Sequence, residues 1–145
     1  MKKITFESGA VQAYLNTLQG VIGRMASNSA TCKTWCVSLV SALLVVVVDR
    51  RQPAFLILAG VPILMFAVLD AYYLALEKVF RGTYTAVVQK VADGAATMAD
   101  LFAIEPGADA GKKIREILPA MGSFAIWPFY GFLVALMLLA RVVLL

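Results

Sequence analysis

Three long apolar stretches divide the chain, and each of them is a candidate membrane span. They cover residues 34–48, 54–69 and 124–145. A helix needs about 20 residues to cross a bilayer, so helices that span it at the first two stretches must also include flanking residues. The short polar segment between these two contains Pro53, a residue suited to the first turn of a helix. The pattern predicts an antiparallel two-span hairpin at 34–69 and a third transmembrane helix at 124–145.

Helical periodicity continues on both sides of the hairpin. Apolar residues recur every three or four positions before it, at Val11, Tyr14, Leu15, Leu18, Val21 and Met25. A near-heptad seam follows it, at Tyr73, Leu76, Phe80, Tyr84, Val87 and Val91. We expect an amphipathic helix in residues 1–33 that continues into span one. An N-terminal helix that lies flat on the membrane surface is the alternative.

The polar region 70–123 is expected to form a helical stalk and a linker on the cytoplasmic side. Asp93 and Gly94 should end the stalk helix, because glycine readily takes the left-handed conformation after a helix. Two short helices, at 95–104 and 109–118, are expected in the linker that leads to span three.

Small and polar residues mark one side of the first span. Every fourth position carries one of them, at Ala26, Ala30, Thr34, Ser38 and Ala42, and a neighbouring seam holds Arg24, Asn28, Thr31, Ser38 and Ser41. Small residues let helices approach closely in a membrane, and a polar seam in lipid must face protein or water. The residues predicted to line a pore or a helix contact are therefore Asn28, Thr31, Thr34, Ser38 and Ser41.

Composition agrees with a membrane protein. Hydrophobic residues make up 61% of the 145 and charged residues 15%, with a mean hydropathy of +0.84. We therefore predict an all-α integral membrane protein with three transmembrane helices and helical cytoplasmic extensions. It should be homo-oligomeric, because a three-span monomer has too few neighbouring helices to cover the polar seam.

The distribution of basic residues predicts the orientation. Ten of the 13 Lys and Arg residues lie before the first span or between the second and third. The positive-inside rule then places the N-terminus in the cytoplasm and the C-terminus outside, in a bacterial inner membrane. Aromatic residues mark the predicted cytoplasmic ends of the spans, at Trp35, Tyr72, Tyr73, Trp127 and Tyr130.

Catalytic chemistry finds little support, since the chain has no histidine to act as a general base or metal ligand. We expect no enzyme activity, no catalytic residue, no cofactor and no metal. Cys32 and Cys36 lie four residues apart, which is a weak metal motif, and close helix packing is the favoured interpretation.

Three charged features remain as candidates for function. Asp70 and Arg141 lie against apolar spans and are candidate ion or gating residues. The alternatives are a solvated or lysine-paired boundary residue for Asp70 and a side chain that reaches the outer headgroups for Arg141. Lys112, Lys113 and Arg115 are candidate contacts for a phosphate-bearing ligand, and a solvated helix face is the alternative.

Residues 24–36, together with residues 69–84 after the hairpin, resemble a set of small bacterial membrane proteins. Their architecture is similar to that of the SLATT class of membrane effectors, which have a leading helix, a tight two-span hairpin and a following cytoplasmic helix. The resemblance covers about residues 11–91, and the third span departs from it. It implies an oligomeric pore or a membrane-disrupting effector of anti-phage defence, which accompanies a nucleotide-synthesising enzyme. The Hailong-type effector, a channel held shut by DNA oligomers, is one such form.

The predicted function is thus a homo-oligomeric membrane channel or membrane-disrupting effector, gated by a cytoplasmic nucleotide or oligonucleotide in abortive infection. Its expected partners are further copies of itself, membrane lipid, a nucleotide or DNA oligomer, and a nucleotide-synthesising enzyme. The alternative is a non-conducting accessory subunit of a larger bacterial membrane complex.

Overall fold

The computed structural model describes residues 4–50, 54–102 and 119–144, and these residues form helices and turns without a strand. Helix α1 spans Gly9–Arg50 and helix α2 spans Ala54–Ala92. A single 3₁₀ turn, η1, covers Ala99–Leu101, and helix α3 covers Trp127–Leu144. The all-α prediction is confirmed for this part of the chain. Residues 51–53, and with them the predicted role of Pro53, lie outside the described residues.

Helices α1 and α2 form a long antiparallel pair. With 42 residues at 1.5 Å each, α1 is about 63 Å long and runs from the N-terminal region through the first apolar stretch without a break. Helix α2 has 39 residues and contains Pro62. It ends where predicted, because Gly94 takes a φ of 68° and its amide bonds back to the carbonyl of Val91.

The N-terminal half of α1 packs on the C-terminal half of α2, and we call this pair the stalk. Its buried core consists of Val11, Tyr14, Leu18 and Val21 from α1, Phe80, Val87 and Val91 from α2, and Leu101 from η1. The apolar side of α1 is therefore occupied by α2, whereas an N-terminal helix lying flat would need that side for lipid. Both predicted apolar seams meet each other within one chain.

The helix expected at 95–104 does not form over its described part. The amides of Ala95 and Ala96 both bond to the carbonyl of Lys90, which wraps the chain around the end of α2. Asp100 then accepts hydrogen bonds from the amide and hydroxyl of Thr97, at 2.9 and 2.6 Å, and from Lys90 at 2.6 Å. These local side-chain bonds compete with a helix, and only η1 remains. Residues 103–118, including the second short helix predicted there, lie outside the described residues.

Helix α3 is shorter than the predicted third span. Residues 122–126 form turns, in which Ser123 bonds to the carbonyl of Ala120 and Ile126 to that of Ser123. The helix begins only at Trp127, with Pro128 in its first turn. Its 18 residues measure about 27 Å, slightly less than the apolar core of a bilayer. By length and composition, α1 and α2 could span a membrane, and α3 falls below that standard.

The stalk end gives a pH-dependent prediction. The hydrogen bonds from Lys90 and Thr97 hold the pKa of Asp100 well below its usual value. This carboxylate therefore stabilises the fold fully above about pH 4, and the contribution is lost as the pH falls further, towards the lowered pKa of the folded state. Asp100→Asn should lower the thermal unfolding temperature at pH 7, and the difference from wild type should shrink at about pH 3.

Circular dichroism of the detergent-solubilised protein measures this difference. The matched control is Glu7→Gln, because Glu7 is exposed and its substitution should leave both temperatures unchanged. An Asp100→Asn effect of equal size at both pH values would contradict the proposed role of the carboxylate.

Candidate functional site

A buried ion pair joins α1 to α2. Asp70 is fully buried, and among the described residues it is the one charged side chain with no exposure. The ammonium of Lys33 donates to its Oδ2 atom, and the hydroxyl of Ser29 donates to its Oδ1 atom. Lys33 also donates to the Ser29 hydroxyl oxygen at 3.2 Å. We call Ser29, Lys33 and Asp70 the polar cluster.

The sequence positions these three residues through helix geometry and hairpin symmetry. Ser29 and Lys33 lie one turn apart and so share a helix face. Lys33 precedes Arg51 by the same number of positions as Asp70 follows Gln52, so the two charges are equally far from the middle of the hairpin. In an antiparallel hairpin, residues at equal distances from the turn lie opposite each other, so the two charges meet.

Of the two alternatives for Asp70, the lysine-paired one agrees with the structure and the solvated one is wrong. Sequence reasoning missed Ser29 and Lys33 as members of a site. The equal distances of Lys33 and Asp70 from the middle of the hairpin were the signal that could have found the pair. The ion or gating role of Asp70 stays a prediction.

The first turn of α3 covers the polar cluster. The Phe129 ring centre lies 6.0 Å from the Lys33 ammonium, within the range of a cation–π contact. Tyr130 donates a hydrogen bond of 3.1 Å to the carbonyl of Phe66, one turn before Asp70. Apolar residues complete the enclosure, among them Cys36, Ala71, Ala75 and Ala120. The pair is thus surrounded by three helices.

Burial of the pair has an energetic consequence. Removing two charges from water costs several kcal/mol per ion, which the mutual attraction offsets only when both partners are well bonded. Both oxygens of Asp70 are bonded here, which meets that condition. The side chain of Lys33 remains 24% exposed, so its ammonium has a route towards the surface that Asp70 lacks. Because both oxygens are engaged, the cluster fixes the relative position of α1 and α2.

The interfacial role predicted for Tyr130 needs correction. Tyr130 is buried because its ring packs into the three-helix core and its hydroxyl bonds to α2. By contrast, Trp35, Tyr72 and Trp127 are exposed, and each lies within two residues of a member or neighbour of the polar cluster. These three aromatic side chains therefore lie on the surface at about the height of the polar cluster along the helices.

The small-residue face of α1, defined as Ala26, Ala30, Thr34, Ser38 and Ala42, points away from the rest of the chain. All five residues are exposed. The side of α1 that packs inward carries Cys32, Cys36 and Val40, about 160° around the helix. Of the neighbouring seam, Thr31, Ser41 and Arg24 are exposed and Asn28 is half-buried. Within the described residues, neither α2 nor α3 therefore buries this face.

The hydroxyl groups of this face and of the neighbouring Thr31 are bonded to their own helix. They donate to the carbonyl four residues earlier, from Thr31 at 2.9 Å, from Thr34 at 3.2 Å and from Ser38 at 3.0 Å. Such bonds satisfy the hydroxyl donors without a partner helix. The face is thus small and smooth, with its donors already used.

Arg141 does not join the polar cluster, since it is exposed near the end of α3. Lys112, Lys113 and Arg115 lie outside the described residues. Cys32 and Cys36 are free and buried, and no group of three potential metal ligands occurs in the described part of the chain.

No protein-family model matches this sequence, and neither a curated protein nor a solved structure matches it. The class of protein is therefore defined by the structure alone. The protein is an all-helical chain over its described residues, with two long apolar helices that could span a membrane and are joined by a buried ion pair.

The polar cluster predicts an asymmetric response to mutation. Removing either charge leaves the other buried without its partner, which typically costs about 3–5 kcal/mol. Lys33→Met should be worse than Asp70→Leu, because Asp70 cannot reach solvent whereas Lys33 can. The double variant Lys33→Met with Asp70→Leu should recover much of the loss.

Unfolding in mixed detergent micelles, followed by circular dichroism, measures these differences. The exposed pair Asp49 and Arg50 supplies the control, since Asp49→Asn should change stability by less than about 1 kcal/mol. Additive losses in the Lys33 and Asp70 double variant would show that the pair is not coupled.

Proposed function

We propose that this protein is a multi-pass membrane protein that assembles into a homo-oligomeric channel. Its apolar helices support the membrane placement. In the most apolar windows of α1 and α2, 22% and 33% of the residues are buried within the chain. Large apolar side chains such as Ile57 and Leu64 are 80% and 66% exposed. An apolar surface of this extent needs lipid or protein to cover it.

The exposed aromatic residues support an interface at the level of the polar cluster. Trp35, Tyr72 and Trp127 are suited to the headgroup region, where one part of the ring is apolar and the other is hydrated. The proposed orientation has the N-terminus and the stalk in the cytoplasm of a bacterium and the C-terminus outside. Helix α3 then crosses the inner membrane as the third span, and the bilayer thins locally to match its short length.

The main support for a homo-oligomer is the exposure of the small-residue face. Five small residues in line leave a shallow groove along α1, which lets the backbone of another helix approach closely. Nothing within the described part of the chain covers this face. A second copy of α1, or the α2 of a second copy, is the proposed occupant.

Packing of α1 around a common axis gives a pore with two parts. Thr31, Thr34 and Ser38 supply polar surface towards the cytoplasm, whereas Val45 and Val48 make the opposite end apolar and are exposed. A narrow apolar ring can close a pore by excluding water. We place the gate at this valine end.

Gating by a cytoplasmic ligand is the further part of the proposal. The stalk is continuous with both spanning helices, so a ligand that shifts the stalk also shifts the pore. The resemblance to SLATT-type effectors supports a nucleotide or oligonucleotide as this ligand, and anti-phage defence as the setting. We propose Asp70 and Arg141 as the charged residues that take part in ion passage or gating.

A non-conducting accessory subunit is the second candidate. The hydroxyl groups of the small-residue face bond to their own backbone, so this face accepts any closely packed helix, including one from another protein. Purification from native membranes separates the two functions. A different protein in fixed ratio with this chain would favour the accessory role.

The test of the channel is ion flux from liposomes that contain the purified protein, together with its size in detergent. Wild type should form an oligomer and conduct. The double variant Thr34→Leu with Ser38→Leu fills the groove of the small-residue face, so it should weaken assembly and reduce flux. A non-conducting monomer would overturn the proposal.

The matched control for the double variant is Leu39→Phe. It adds apolar volume at an exposed position of the same helix, about 100° around α1 from Ser38. Its oligomer size should equal that of wild type. Equal loss of assembly in both variants would argue against a specific interface.

A further inference from the structure

A groove opens between α1 and α2 in the stalk, away from the polar cluster. It is lined by Gln19, Ile22, Gly23, Arg81, Tyr84 and Thr85 and has a volume of about 470 Å³. Sites for small organic ligands usually measure about 300–1,000 Å³. The groove is therefore large enough for one small molecule per chain.

The polar atoms of the groove are directed by neighbouring bonds. Glu77 accepts a hydrogen bond of 2.8 Å from Nε of Arg81, which orients the guanidinium and leaves its terminal nitrogens available to a ligand. Gln19 donates to the hydroxyl oxygen of Tyr84 at 3.2 Å, so the proton of that hydroxyl can be donated elsewhere. The groove thus offers a planar cation, a phenol and a carboxamide close together.

Gly23 supplies the open wall. A Cβ atom added at this position would meet nothing within 4 Å, so the described part of the chain does not require glycine there. Glycine inside a helix costs about 1 kcal/mol relative to alanine. Gly23 lines the groove, so the absence of a side chain keeps this wall open.

These features select the chemical class of the ligand. A guanidinium binds phosphate oxygens through paired hydrogen bonds, which is a geometry that lysine does not provide. Tyr84 lines the groove and is only half-buried, so a flat ring can pack against it, and the carboxamide of Gln19 can donate to and accept from the edge of a base. A flat ring system that carries a phosphate satisfies all three groups.

We propose that this groove is the binding site for a nucleoside phosphate. The inference rests on the proposed function, for which it supplies the place where the gating ligand acts. The groove is coupled to the pore region through both helices, because Gln19 precedes Lys33 by the same number of positions as Tyr84 follows Asp70. Both helices therefore keep one register over about 21 Å between the groove and the polar cluster.

The experiment is equilibrium dialysis of the purified full-length protein against AMP, GMP, CMP and UMP, with inorganic phosphate alone as a separate arm. At least one nucleotide should bind once per chain and more tightly than phosphate. Arg81→Gln should weaken it at least about tenfold, the range of a lost hydrogen bond to a charged group. Glu77→Gln should weaken it less than Arg81→Gln does, because the guanidinium loses its orienting carboxylate but keeps its charge.

Gly23→Leu tests the shape of the groove. The new side chain would occupy the ligand's space, so binding should be lost, while the thermal unfolding temperature should stay equal or rise. Gly82→Leu is the control, since Gly82 does not line the groove and an added Cβ there also meets nothing within 4 Å. This variant should bind as wild type does.

Two results would overturn the inference. One is the absence of nucleotide binding to wild type, or binding no tighter than that of phosphate. The other is unchanged binding in both Arg81→Gln and Gly23→Leu. Ion flux measured on the same preparations separates the two proposals, because a conducting protein without nucleotide binding refutes the site alone, and a binding protein without flux refutes the channel alone.

Discussion

The structure depends on one constraint, which is that the charge of Asp70 has no access to water and must be paired inside the protein. Lys33 and Ser29 pair it from α1. A rotation of α1 about its axis by one residue position, about 100°, would turn Lys33 away from Asp70 and leave two unpaired charges. The ion pair therefore sets the register of two helices that otherwise meet through interchangeable apolar side chains.

This register determines which other side chains of α1 and α2 face inward and which face outward. With Lys33 facing α2, Cys36 and Val40 also face inward, and the small-residue face points outward. The same alignment, carried along two unbroken helices, brings the apolar side of the stalk together and places Gln19 against Tyr84. The outward position of the small-residue face, the stalk core and the groove thus follow from one contact.

Helix α3 covers the ion pair and supplies neither of its two charges. Its first turn covers Lys33 with Phe129 and bonds to α2 through Tyr130, whereas its far side is apolar and exposed. A cover of this kind separates the two charges from the surroundings of the bundle on the α3 side. The polar cluster accordingly lies inside the bundle, and the small-residue face lies on its surface.

Much of the fold could be predicted from the sequence, because apolar periodicity and glycine chemistry act locally. They predicted the extents of α1 and α2 and the end at Gly94, and they identified the residues of both stalk seams. The linker helix expected at 95–104 does not form over residues 95–102, since hydrogen bonds from Lys90 and Thr97 to Asp100 outweigh the helix propensity of alanine.

The sequence by itself determined the helical class, the apolar lengths and the presence of small residues on one side of α1. Only the tertiary structure decided which side of α1 meets α2, that Asp70 is paired with Lys33, that Tyr130 is buried, and that a groove opens beside Gly23. Periodicity gives the rotation of residues within one helix. The rotation of one helix relative to another depends on contacts between residues far apart in the chain, which here means the buried charge and its partner.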